Sequence, residues 1–270
     1  MSMDTIPVEV IFLATMIVVA IGIEVGFRLG LVVHRRSENE KTSSVSTVAA
    51  AILSLAGFML VFTFGIAAER MNDRKKLVRE EANAIGTAWL RSDFLPEPDR
   101  AESAGLLRKY VDIRLDAVQG TSPDQIQKLV VESQRIQRQV WDMAVKNARK
   151  DMDSDVAALY IESLNTVIDL HGTRTAIALH AQIPGTLWLI LYALIILGVI
   201  GVGYQTAIAG STRRTLATSI LAPSFAMVIA LIAALDSPRS VLRAPQGPLI
   251  ELQSTMSHSP GTSADSGHKP

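Results

Sequence analysis

The chain has 270 residues, no net formal charge, no cysteine and a mean hydropathy of +0.28. The lack of cysteine excludes a disulfide framework and any thiolate metal or redox site, and nucleic acid is not an expected partner. Its 49% hydrophobic content is ordinary for a soluble protein, but the distribution is not. Four apolar blocks stand out, near Ile6–Val33, Val45–Ala68, Pro184–Tyr204 and Leu216–Leu235. Each is about 20 residues or longer, enough to cross a hydrocarbon core of about 30 Å as a helix. The lipid bilayer is therefore the first partner the sequence implies.

The first block is not a cleavable signal: it carries Asp4 and Glu9, lacks a basic start, and runs too long. It ends near Val33 and contains Glu24 and Arg28, four apart on one helical face in the order that favours an ion pair. Ionisable residues in a span are functional candidates. Here the closeness of Arg28 to the helix end favours an arginine that snorkels to the interface with Glu24 as its partner. After a short polar connection at Ser37–Ser44, span two begins and runs without proline into the charged stretch ERMNDRKKLVREE. One helix over Val45–Phe94 outlasts the membrane and projects into water.

Pro96 and Pro98 end that helix. Asp99 is placed to cap a second one reaching Gln119, and Gly120-Thr121-Ser122-Pro123 reads as a stop followed by a start, with Ser122 at N-cap and Pro123 at N1. A third helix follows to about Lys150, and a fourth from Val156 to about Gln182, with Val156, Tyr160, Leu164, Val167, Ile168 and His171 at helical spacing. Pro184 opens span three, which ends near Tyr204. Pro223 lies inside span four, which stops at Asp236-Ser237-Pro238. In the tail, the patch Leu249–Leu252 is suited to docking on the protein, and the stretch from about residue 257 is low in complexity and reads as disordered. The expected fold class is an all-α membrane protein. Residues 1–44 hold the first span and its loop, 45–94 the second span and its extension, 95–183 a helical extramembrane domain, 184–236 spans three and four, and 237–270 the tail.

At 100° per residue, Phe58, Phe62 and Ile66 form one stripe on span two. Continued below the bilayer, the stripe passes through Glu69, Asp73, Lys76, Glu80, Thr87 and Arg91, opposite the apolar Met71, Val78, Ala82, Ile85 and Trp89. Phenylalanines on a span ordinarily touch lipid or a neighbouring helix. Around an axis shared by several copies, the same rings form a hydrophobic constriction above a polar vestibule.

The strings GFMLVFTF and EEANAIGTAWLRSDFLP carry a resemblance, as do LRKYVDIRL, SLNTVIDLHGTR, IPGTLW and the Leu235–Pro238 end of span four. Together they resemble the bacterial bestrophin-like membrane proteins, which are distantly similar to bestrophin anion channels. The resemblance covers nearly the whole chain and implies a homopentameric, anion-selective channel in the bacterial inner membrane. It also implies cytoplasmic termini and a cytoplasmic helical domain, small inorganic ions as partners, and a neck at Phe58, Phe62 and Ile66. The chain lacks paired tryptophans after span two and an acidic calcium clasp after span four, so calcium gating is not implied. Glu69, Asp73 and Glu80, offset in part by Lys76 and Arg91, oppose anion selectivity.

Basic residues flank both sides of the spans, Arg35, Arg36, Lys41, Arg213 and Arg214 against Arg70, Arg74, Lys75, Lys76, Arg79, Arg174, Arg239 and Arg243, so charge alone does not orient the chain. No enzyme signature, metal site or cofactor motif is expected. His171 and His180 fall on opposite faces of one helix, and His171 reads as a core or interhelical histidine. The alternative to a channel is a non-conducting, membrane-anchored helical sensor or scaffold.

Overall fold

The computed structural model describes residues 6–34, 42–119, 122–180, 183–208, 214–237 and 244–258. Every regular element among them is helical: α1 (Val8–His34), α2 (Thr42–Arg91) with a 3-10 turn at Ser92–Phe94, α3 (Asp99–Gln119), α4 (Pro123–Ala148), α5 (Asp155–His180), α6 (Gly185–Ile208), α7 (Arg214–Asp236) and α8 (Gly247–His258). Four stretches, in α1, α2, α6 and α7, are long and apolar enough to cross a membrane, which matches the four sequence blocks. The chain divides into two compact units, Met1–Asp73 with His180–Arg243 and Arg74–Leu179 with Ala244–Pro270. The 50-residue α2 passes unbroken from the first into the second.

In the first unit, α1 packs on α6 through glycine. Gly22, Gly26 and Gly30 recur every fourth residue along one face of α1. A Cβ on Gly26 would run into the backbone of Ile200, and one on Gly203 of α6 into the backbone of Ile23. Lipid is as apolar as the side chains, so burial alone does not drive spans together, and small residues let the backbones gain dispersion contact instead. On its other side α6 meets α2, where a Cβ on Gly201 would lie 2.7 Å from the Ala49 Cβ. The Thr15 hydroxyl donates to the Ile11 carbonyl at 2.8 Å and so accepts from the Tyr192 hydroxyl, also at 2.8 Å, which ties α1 to α6. Span four contains Pro223 within α7, as the sequence places it.

The second unit closes around Val78 and Ile85 of α2, Tyr110 and Val111 of α3, Ile136 and Val140 of α4, and Tyr160 and Leu164 of α5, with Leu249 and Met256 of α8 sealing the core. The tail patch therefore docks through Leu249, while Ile250 faces outward. Ser122 caps α4 as expected, its side chain accepting from the Gln125 N–H at 3.2 Å with proline in the first turn. One expectation needs correction. Asp99 is the first residue of α3, and its carboxylate takes Asn147 Nδ2 at 2.8 Å and Lys146 Nζ at 3.3 Å; Glu97 reaches the Ala101 N–H instead. Val156 is exposed because α5 has only just begun there, whereas Tyr160, Leu164, Val167 and His171 are buried. The expectations for Arg35, Arg36, Lys41, Gly120, Thr121, Gln182, Arg213, Pro238, Arg239, Arg243 and the tail beyond His258 lie outside the described residues.

One carboxylate organises the polar centre of the second unit. Glu81 of α2 is 0% exposed. It pairs with Arg114 of α3, whose Nε lies 2.9 Å from Oε1, and with Arg174 of α5 through Oε2. The Tyr110 hydroxyl lies 3.4 Å from Glu81 Oε1, 3.1 Å from His171 Nδ1 and 3.2 Å from Gln137 Nε2 of α4. Helices α2, α3, α4 and α5 thus meet at one polar knot, and His171 Nε2 is buried with no hydrogen-bond partner among the described residues. Burial pushes the Arg174 guanidinium down to about 10 and raises the Tyr110 phenol to about 12, so the first stays charged and the second neutral at pH 7. Burial, and then the charge of Arg114, push His171 down to about 4.

Four expected outcomes follow from this packing. Gly26→Ala forces apart backbones already in contact and lowers stability by about 3 kcal/mol. Gly172→Ala, at a helical site with nothing within 4 Å of the new Cβ, raises it by about 0.5–1 kcal/mol; thermal unfolding of the two variants in one detergent checks both. Glu81→Gln strands two buried guanidinium groups and costs about 3–5 kcal/mol, read from the loss of α-helical signal in urea. His171 is neutral in the folded protein down to about pH 4, whereas an unfolded histidine takes up its proton near 6.5. Stability therefore falls as pH drops from about 6.5 to 4, by about 3 kcal/mol from this group. His171→Gln flattens that part of the pH profile, and an unchanged slope would assign the acid sensitivity to other groups.

Candidate functional site

The chemistry of α2 changes along its length, but its packing does not. Ala49, Ala56, Leu60, Thr63, Ala67 and Met71 are buried in the first unit, and Val78, Glu81, Ala82, Ile85 and Ala88 in the second. Spacings of three, four and seven keep this stripe on one face. Phe58 lies about 180° from Ala67 around the helix axis at 100° per residue.

Phe58 and Phe62 are 67% and 54% exposed, and Ile66, half-buried, packs against the core of the first unit. The three predicted neck residues are thus not equivalent: two stand free of their own chain and the third leans on it. Leu55 and Val61 beside them are exposed as well, so the free apolar face is broader than one stripe. Further along α2, Glu69, Asp73, Lys76 and Thr87 are exposed. Lys76 Nζ lies 3.7 Å from Glu80 Oε1, and the two charges cancel locally. No ion pair engages Glu69 or Asp73 among the described residues, which leaves two free carboxylates one turn apart. Arg91 does not join that row: its Nη1 donates to the Leu159 carbonyl at 2.6 Å and lies 3.9 Å from Glu162, so it serves to hold α5. On the opposite face, Met71, Val78, Ala82 and Ile85 are buried as expected, and Trp89 is half-buried under Arg108, whose guanidinium carbon sits 5.8 Å from the ring centre.

On α1, the predicted pair forms: Arg28 Nε lies 2.7 Å from Glu24 Oε1, with the arginine 77% exposed. Pairing spares both groups most of the cost of an isolated charge in an apolar setting. At the end of α7, Asp236 takes the Arg70 guanidinium and the Ile183 N–H. The sequence marks Asp236 only as the end of a span, and it carries two further local signals. Glu81 lies three residues after Val78 and four before Ile85, hence on the apolar face, and glycines recur at 22, 26 and 30. In the second unit an open groove of about 330 Å³ between α3 and α8 is lined by Asp112, Asp116, Gln246 and Ile250. Gln253 Nε2 there donates to Asp112 Oδ1 at 2.7 Å. No cluster of three or more potential metal ligands occurs among the described residues.

This arrangement of four spans and a helical extramembrane domain recurs in solved structures. A variant of a bacterial Bestrophin homolog from Klebsiella pneumoniae superposes with a TM-score of 0.68 at 12% identity, over 91% of this chain and 97% of that one. A second crystal structure of a homolog from the same organism gives 0.62 at 15% identity, over 91% and 94%. A variant described only as a membrane protein gives 0.66 at 12% identity, over 92% and 97%. Identities this low establish the shared fold. No curated protein sequence matches the chain. The family model for the Bestrophin-like domain, however, aligns with residues 14–239, which take in most of span one, the other three spans and the helical region between spans two and three. That alignment covers most of the sequence, and it places this all-helical membrane protein in the Bestrophin-like family.

Proposed function

We propose that the chain assembles around α2 as a homo-oligomeric ion channel. Family and fold support a bestrophin-type channel in general, and the finer reading rests on one feature of α2. Its exposed face carries Phe58 and Phe62 within the span and then, on the same side of the helix, Glu69 and Asp73. In a ring of copies with this face inward, the phenylalanines form a neck that excludes water until it widens, with Ile66 at its lower rim, and the carboxylates line the vestibule beneath. Kinship with bestrophins favours a pentamer in a bacterial inner membrane, with the helical unit and both termini in the cytoplasm. The same kinship implies anion selectivity. The local charge opposes it, since the Lys76–Glu80 pair is neutral and each copy adds two unpaired carboxylates below the neck. Rings of carboxylates favour cations, and cation preference is the reading adopted.

The absence of cysteine makes the assembly directly testable. Phe62→Cys introduces a unique thiol per chain, and oxidation is expected to cross-link copies in detergent, with light scattering giving a pentamer. A monomer in several detergents rejects the ring and leaves a membrane-anchored scaffold. In liposomes, Phe62→Ala is expected to raise ion flux severalfold by removing part of the constriction. Background flux from both forms points to the same non-conducting alternative.

Selectivity is read from the reversal potential in a KCl gradient. The wild-type value is expected on the potassium side, and Glu69→Gln with Asp73→Asn is expected to move it toward chloride. A reversal potential indifferent to both substitutions places the two carboxylates away from the permeation path.

A further inference from the structure

The end of α7 holds a carboxylate that the channel reading leaves unused. Asp236 is 5% exposed, and its oxygens face two other elements of the first unit. Arg70 Nη1 of α2 lies 3.3 Å from Oδ1, and the Ile183 N–H, just before α6, lies 3.2 and 3.1 Å from Oδ1 and Oδ2. Ile183 is itself buried and precedes Pro184, so its N–H needs an acceptor and has no helical one. Arg70 lies one turn beyond Ile66 and about 80° around the axis from Phe62. A guanidinium held at that angle constrains rotation of α2 about its own axis, and that rotation sets where Phe58 and Phe62 point.

We infer that Asp236 is the positioning residue of α2: by holding Arg70 and the entry of α6 together, it fixes the rotation that keeps Phe58 and Phe62 off their own chain. The inference rests on the reading of α2 as the pore helix, but it makes a separate claim about packing. A residue that only caps α6 would need its bond to Ile183 and not its bond to Arg70. Asp236→Asn keeps an acceptor for the Ile183 N–H while losing the charge that holds Arg70. Arg70→Gln leaves Asp236 and Ile183 together and removes the guanidinium, and Arg70→Lys keeps the charge.

The test uses the cysteine-free full chain with single thiols at Ala67→Cys, on the buried face, and Phe62→Cys, on the exposed one, labelled by a small methanethiosulfonate in detergent. In the wild-type background the thiol at position 62 is expected to react quickly and the thiol at position 67 slowly. Asp236→Asn and Arg70→Gln are each expected to speed labelling at position 67 on the order of tenfold, the population change that losing one charge-assisted hydrogen bond produces, whereas Arg70→Lys stays near wild type. Flux through the Asn and Gln variants, reconstituted without the thiols, is expected to shift together, because both free the same rotation. If Arg70→Gln labels as wild type does while Asp236→Ala alone opens position 67, Asp236 is only a cap on α6 and the inference is overturned. Should Asp236→Ala fail to fold, Asp236→Asn and Arg70→Gln still decide. If labelling behaves as expected but no form conducts, the positioning role stands and the channel reading falls.

Discussion

The structure depends on a constraint borne by one helix. α2 cannot end at the membrane surface, because nothing between Ala68 and Arg91 breaks it, so a single rod must satisfy hydrocarbon and then water. Its buried face meets that demand by staying small and regular. Ala49, Ala56 and Ala67 let neighbouring spans approach closely, and Val78, Ala82 and Ile85 are buried in the apolar core of the second unit. The exposed face carries no such obligation and changes from phenylalanine to carboxylate. A functional gradient can therefore be written on one side of the helix without disturbing the packing on the other.

Each part of that helix is also held by a charged contact buried in its own unit. In the first, Arg70 reaches Asp236; in the second, Glu81 receives Arg114 and Arg174. The two anchor residues are three turns apart on α2, and Asp73, Lys76 and Glu80 lie between them. Ion pairs of this kind add little net stability compared with apolar residues of the same shape, because desolvation offsets most of the attraction. Their geometric demand is the larger consequence. A carboxylate with two guanidinium partners on two helices is satisfied in one arrangement only, whereas leucine and valine tolerate sliding. His171, neutral and bonded to the Tyr110 hydroxyl, adds a second contact from α5 to this knot at the cost of acid sensitivity.

The sequence made the helices legible because the signals were long and local. Runs of about 20 apolar residues, the proline pair at 96 and 98, and Ser122-Pro123 each act within a few residues, and the structure places α1, α2, α4 and α6 accordingly. The buried polar contacts were not legible, since they join residues far apart in the chain. Arg174 meets Glu81 across 93 positions and Asp236 meets Arg70 across 166. A carboxylate on an apolar stripe is still a local anomaly, and Glu81 between Val78 and Ile85 was one. It was masked by Glu80 beside it, which belongs to the exposed face and made both read as one charged run. Asp99 is the opposite case: its residue type suits capping, but its carboxylate is taken by Asn147 of α4.

Fold kinship and the proposed ion selectivity draw on different residues. What the structural relatives share at 12–15% identity is the fold, and in this chain apolar periodicity and small-residue packing set it. None of those terms depends on the sign of a charge on the free face of α2. Replacing Glu69 or Asp73 by another polar residue leaves every buried contact of the helix intact, so this row is free to vary while the fold persists. Under the proposed channel reading, the sign of the permeant ion follows from the row itself, which holds two carboxylates without an ion pair among the described residues, and not from distant kinship. On that proposal, selectivity is set locally, one turn at a time, on the face that packing leaves alone.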